Sequence, residues 1–123
     1  MTNPRSPGDR RHAPDSLTYL RIVEEVTDSG LTQRELGQVV GASVRTVQNW
    51  AKGDASPSGA KVKRLLDLNY LIRTLRDVYT DEGVEIWLHS KNRNLGGERP
   101  IDLLNQGNLD DVLLEAQRLS EAM

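Results

Sequence analysis

From Gln33 to Lys52 the chain reads QRELGQVVGASVRTVQNWAK, with small and apolar residues at offsets that few folds accept. Leu36, Val40, Ala42, Val47 and Trp50 are the inward positions of two short helices crossing at a tight turn. Gly37 sits where the second helix crosses, and any side chain beyond a methyl is expected to hold the helices apart. Gly41 falls in the turn, where a positive φ is cheap only for glycine. Thr32 with Glu35 three residues on has the form of a capping box for the first helix, and Ser43 can cap the second. These features predict a helix-turn-helix over residues 33–52.

The outward face of the second helix follows from a turn of about 100° per residue. Opposite Val47 and Trp50 lie Arg45, Asn49 and Lys52, with Thr46 and Gln48 at the margins. Such side chains read base edges in the major groove: Arg pairs with guanine, Asn and Gln with adenine. Gln33 and Ser43, at helix N-termini, are placed to hold phosphates, and Val44 at the edge to meet a thymine methyl. Trp50 lies on the inward side and is read as core rather than as a base-stacking residue. The longer stretch LTQRELGQVVGASVRTVQNWAKGDASPS resembles the Cro/repressor (Xre-type) helix-turn-helix family, with Thr32, Gln33, Ser43, Trp50, Gly53 and Pro57 in that family's places. Ala51-Lys52 stands where the family often has an acidic residue after the Trp.

A net charge of −2 looks wrong for a nucleic-acid binder until the chain is divided. Residues 1–78 carry 12 Lys and Arg against 9 Asp and Glu, a balance of +3; residues 79–123 carry 4 against 9, a balance of −5. The asymmetry points to different partners for the two halves. With no cysteine, disulfides, thiolate metal sites and thiol nucleophiles are excluded. No apolar run approaches the roughly 20 residues needed to span a bilayer, and no signal-peptide stretch is seen, so a cytoplasmic location is expected.

Periodicity is helical from Ser16 onward, and the fold class expected is all-α: a helix-turn-helix bundle joined by a long helix to a small C-terminal helical domain. Residues 1–15, rich in proline and nearly devoid of apolar side chains, read as a disordered tail whose Arg5, Arg10 and Arg11 could touch DNA backbone. Residues 16–60 read as the DNA-binding domain, 61–79 as the connecting helix and 80–123 as a second domain. Leu17, Leu20, Val23 and Val26 repeat at a spacing of three, with Ile22 beside them, and Asp28-Ser29-Gly30 stops that helix. The long helix, from about Ser58 to Tyr79, carries Leu65, Leu68, Ile72, Leu75 and Tyr79 at spacings of 3, 4, 3 and 4, widened by Leu66, Leu71 and Val78. Such a face serves as a dimer seam or as the internal spine of the fold, and its breadth favours the spine. Three short helices follow: one capped by Thr80 with Val84, Ile86, Trp87 and Leu88; one at Ile101–Leu104 opened by Pro100; and one capped by Asn108 with Asp111, carrying Leu109, Val112, Leu113, Ala116 and Leu119.

Trp87 to Leu119 has a distinctive order: Trp-Leu, a polar loop, Asn-Leu-Gly-Gly, Pro-Ile-Asp-Leu-Leu, a glycine and an amphipathic helix. It resembles the C-terminal domain of the Xre/MbcA/ParS antitoxins, with Trp87, Leu88, Asn94, Leu95, Gly96, Gly97, Pro100, Leu103, Leu104 and Val112 at the matching positions. The resemblance implies an antitoxin that binds and inhibits a RES-domain, NAD-consuming toxin and represses its own operon on promoter DNA. It implies toxin contacts at Asn94, Gly96 and Gly97, and at the final helix and tail through Glu115, Arg118, Glu121 and Met123. The family often ends in a glycine-containing stretch, whereas this sequence reads Ser120-Glu121-Ala122-Met123. On the residues alone, Trp87, Leu103 and Leu104 are most simply core, and the acidic excess suits a basic partner surface such as an entrance admitting an anionic dinucleotide.

Nothing assembles a catalytic site. His12 and His89 have no neighbours spaced for metal or acid–base work, and Gly96-Gly97 does not follow a strand, so it is no phosphate loop. No enzyme activity, cofactor or metal is expected. Two other readings stay open: a stand-alone repressor whose second half serves only dimerisation, and a protein–protein adaptor with a degenerate helix-turn-helix. Repressors of this kind bind as dimers on half-sites about one helical turn apart. A homodimer or a toxin–antitoxin hetero-oligomer is therefore expected.

Overall fold

The computed structural model of the chain describes residues 14–122. Arg5, Arg10, Arg11, His12, Met123 and all of the expected tail but residues 14 and 15 lie outside them. Among the described residues the elements are seven α-helices and one 3-10 turn: α1 (Pro14–Asp28), α2 (Gln33–Val40), α3 (Val44–Lys52), α4 (Ala60–Arg76), α5 (Asp81–His89), the 3-10 turn (Arg93–Leu95), α6 (Pro100–Asn105) and α7 (Leu109–Glu121). The only extended pairing among them is a single bridge between Asn92 and Glu98. The fold is all-α, as the periodicity predicts.

Helix α4 is the spine. Leu65, Leu68, Leu71, Ile72 and Leu75 are fully buried, and burying each such side chain stabilises by roughly 1.5–3 kcal/mol. Around it pack α1 and α2 from the N-terminal half and α5 and α7 from the C-terminal half. The apolar face that would otherwise form a seam is thus consumed inside one chain. The helix is shorter than expected, because Gly59 lies outside it and Asp77 closes it. α4 and α7 run side by side in the same direction: Asp110 acts electrostatically on Lys63, and seven residues further along each helix the Gln117 amide donates to the Tyr70 hydroxyl at 3.5 Å.

In α1, Ile22, Val23 and Val26 are buried but Leu17 is 53% exposed, contrary to its assignment to the apolar face. A strict spacing of three drifts by about 60° per step, so three steps carry Leu17 to the far side from Val26. Ile86 likewise points outward from α5, while Val84 and Leu88 are buried. Trp87 and Leu103 are half-buried against the core, and Leu104 is fully buried. The Thr80 hydroxyl accepts from the Gly83 amide as expected. Asn108 does not cap α7: its ψ of 47° is not that of an N-cap, and its amide nitrogen is instead 3.5 Å from Gln106 Oε1. Its backbone N–H donates to the Leu103 carbonyl, which fixes the corner between α6 and α7.

The two halves meet at the α1–α2 corner. Ser29, fully buried, donates to the Glu25 carbonyl and to Asp81 at the start of α5. Glu25 of α1 accepts from Asn69, Arg73 and Arg76 of α4, and Arg76 also pairs with Asp81. Burial opposes ionisation of Glu25, but the hydrogen bonds from Arg73 and Asn69 and the two guanidinium charges outweigh it and lower its pKa. Across the corner, His89 of α5 places Nε2 2.8 Å from the Glu35 carboxylate of α2, while its Nδ1 meets the Glu85 carbonyl at 2.8 Å.

Candidate functional site

The helix-turn-helix is built as its sequence requires. Thr32 accepts from the Glu35 amide while Glu35 accepts from the Thr32 amide, closing the capping box. Leu36, Val40 and Val47 are fully buried, and Trp50 is only 2% exposed, which makes it core. Gly41 ends α2 with φ of 87°, in the left-handed region. At Gly37 the constraint is tighter than expected: even a methyl would stand 2.4 Å from the Ala42 carbonyl oxygen in the turn itself.

On α3 the structure exposes Arg45, Gln48 and Lys52 and leaves Thr46 and Asn49 half-buried along the same polar face. Among the described residues these five make no ion pair, whereas much of the charge elsewhere is tied up in pairs such as Arg99–Asp102, Arg118–Glu115 and Arg76–Asp81. Ser43 is the N-cap, its hydroxyl accepting from the Thr46 amide and lying 2.9 Å from the Thr46 hydroxyl. What it offers an incoming phosphate is therefore chiefly the helix N-terminus it organises. Gln33 is half-buried as the first residue of α2. Arg64, not singled out from sequence, donates from Nη1 to the Val40 carbonyl at 3.4 Å and covers Gly41, so that a guanidinium sits over the turn. Its separation of 24 residues from Val40 left no local signal.

The second candidate is a groove of about 570 Å³ between the 92–98 loop and α7, floored by Leu95 and Leu103. It gathers four of the residues singled out from sequence: Asn94, Glu115, Arg118 and Glu121. Gly96 and Gly97 lie on the loop beside it, with open space above both. Glu115 is 8% exposed and spent inside the chain: Arg118 chelates it at 2.8 and 2.9 Å and Asn94 donates to it at 3.0 Å. The hydrogen bond from Arg118 lowers its pKa, helped by that from Asn94 and by the Arg118 charge, while burial works the other way. Glu115 therefore sets the positions of Asn94 and Arg118, and the surface presented is Arg118, Glu121 and Leu114. Leu114 is 68% exposed in the groove wall and was not singled out from sequence. The signal was present: the third residue of Val112-Leu113-Leu114 falls about 200° from the first, on the solvent side.

Comparison with known proteins bears on both surfaces. Residues 24–68 match a family model described as helix-turn-helix, and residues 74–113 match the antitoxin Xre/MbcA/ParS C-terminal toxin-binding domain. A protein described as a probable mycobacterial cidal antitoxin of Mycobacterium tuberculosis is 40% identical over 96 residues, covering 78% of this chain and 82% of that protein. The chain belongs to the Xre/MbcA/ParS antitoxin family. The mycobacterial cidal antitoxin MbcA of Mycobacterium bovis is 33% identical over 94 residues, covering 76% of this chain and 83% of that one. A chain in the crystal structure of the M. tuberculosis MbcT–MbcA toxin–antitoxin complex superposes with a TM-score of 0.71 at 30% identity, covering 85% of this chain and 95% of that chain. This family member thus joins a helix-turn-helix domain to a toxin-binding domain. Among the described residues no helix is long and apolar enough to cross a membrane.

Proposed function

We propose that the protein binds and inhibits a RES-domain, NAD-consuming toxin through its C-terminal half and represses its own operon through α3. The observation that carries this reading is the groove beside α7, which lies in the toxin-binding half and gathers Asn94, Arg118, Glu121 and exposed Leu114 on one open surface. Net negative charge over residues 79–123 suits a basic rim such as that of a site admitting an anionic dinucleotide. The unpaired polar face of α3 supports the DNA-binding role, in which Arg45, Gln48, Asn49 and Lys52 meet base edges and the N-termini of α2 and α3, at Gln33 and Ser43, meet phosphates. Gly96 and Gly97 belong to the proposed toxin contact as neighbours of the groove, and Met123 belongs to it as the family resemblance implies.

The test is co-expression of the full chain with the adjacent open reading frame, scored for growth, cellular NAD and co-purification. Leu114→Asp with Arg118→Glu should abolish rescue while leaving salt-sensitive promoter binding intact. Arg45→Ala with Asn49→Ala should do the reverse. Co-purification of no partner, with promoter binding retained, would instead favour the stand-alone repressor.

A further inference from the structure

The outward stripe of α4 is a surface that neither the DNA-reading helix nor the groove uses. Tyr70 and Leu66, 52% and 43% exposed, are two of five large apolar side chains left in solvent among the described residues. Measured around the helix axis from Tyr70, Lys63, Leu66, Asp67, Arg73 and Asp77 all fall within about 60° on one side or the other. The charges along this stripe are antisymmetric about Tyr70: Lys63 seven residues before it and Asp77 seven after, Asp67 three before and Arg73 three after. Each also keeps bonding capacity. Lys63 is 81% exposed and uses one contact, to one oxygen of Asp67, and Arg73, 66% exposed, turns Nε and Nη2 to Glu25 and leaves Nη1. Asp77 forms no ion pair among the described residues.

We infer that this stripe is the seat of a second copy of the chain, packed with the two α4 helices antiparallel about a two-fold axis through Tyr70. In a two-fold interface every contact occurs twice, so the surface must be complementary to itself. Antiparallel packing sets Lys63 against Asp77 of the second copy and Asp67 against Arg73 of the second copy, stacks the two Tyr70 rings at the centre and lays each Leu66 over the Thr74 position of the second copy, four residues from the axis. Parallel packing would set like charge on like at every step. The buried face of α4 is spent as the spine, so the dimer uses the opposite side of the same helix from the leucine repeat. A dimer formed here uses no residue of α3, and it borders the α7 groove at Gln117, which lines that groove and donates to the Tyr70 hydroxyl.

The inference stands apart from the identity of the toxin or the operator, and sedimentation velocity on the full chain alone tests it. The unmodified chain should sediment as a dimer. Tyr70→Arg should weaken association at least about tenfold, and so should Asp77→Lys, which sets two lysines against each other. The double variant Lys63→Glu with Asp77→Lys restores opposite charge across the axis and should recover most of the association. All these side chains are exposed, so at a concentration low enough to keep every protein monomeric the thermal melts of the variants should stay close to that of the unmodified chain. A monomer, a dimer indifferent to Tyr70→Arg and Asp77→Lys, or a double variant no better than Asp77→Lys alone would each overturn the antiparallel α4 dimer.

Discussion

Replacing Gly30 by alanine tests whether the N-terminal half is seated on the C-terminal half as described. Gly30 has φ of 101°, and a Cβ there would stand 2.3 Å from Cβ and 2.9 Å from Cα of Glu85 in α5. The left-handed backbone costs an alanine roughly 1–2 kcal/mol. Relieving an overlap of more than an ångström against helix backbone adds about 1–3 kcal/mol, as in other overpacked sites. Reduced freedom of the unfolded chain returns about 0.4–1 kcal/mol. The net expectation is a loss of roughly 2–4 kcal/mol, read as a fall of about 1–3 M in the urea midpoint at unchanged slope. Trimming Glu85 to alanine should not rescue it, because the opposing atoms are its Cβ and Cα. Glu85→Gly, which removes the Cβ, should recover part of the loss in a double-mutant cycle. A Gly30→Ala protein within about 0.5 kcal/mol of the parent, or one fully rescued by Glu85→Ala, would show that α5 does not sit on the α1–α2 corner.

The His89–Glu35 contact gives a pH signature. Burial disfavours the His89 imidazolium, but the Glu85 carbonyl and the Glu35 carboxylate together outweigh it and raise the pKa above its ordinary 6.5. Glu35, also disfavoured as an anion by burial, is held below its ordinary 4.5 by the Thr32 amide and by His89. A raised histidine stabilises fully below about 6.5 and loses that contribution as pH climbs through its folded value. A lowered carboxylate contributes above about 4.5 and loses it as pH falls through its own folded value. The pair should therefore be strongest between the two, and His89→Gln should remove about 1 kcal/mol in urea melts near pH 6 and much less near pH 9. Trp50→Ala should cost about 3–5 kcal/mol and abolish promoter binding with the fold, whereas Arg45→Ala should weaken binding by about 1–3 kcal/mol with an unchanged melt. Glu115→Ala should lower stability by about 1–2 kcal/mol and weaken toxin capture indirectly, while Glu121→Gln should leave the melt unchanged.

The residues of the helix-turn-helix show what the sequence determined by itself. Caps at Thr32, Ser43 and Thr80, the left-handed turn at Gly41 and the buried row through Trp50 are short-range matters, decided by backbone sterics and by periodicity within two turns of helix. The polar face of α3 follows from the same periodicity. The tertiary structure alone decided what depends on neighbours far along the chain. It consumed Glu115 in a network with Asn94 and Arg118, laid Arg64 over the turn and brought His89 to Glu35. Each of these needs two elements docked at one angle, and spacing along a single helix carries no record of that angle. It also separated the two faces of α4: the leucine repeat, legible as either seam or spine, is interior because α1, α5 and α7 all close on it, and what remains for a partner is the opposite stripe around Tyr70.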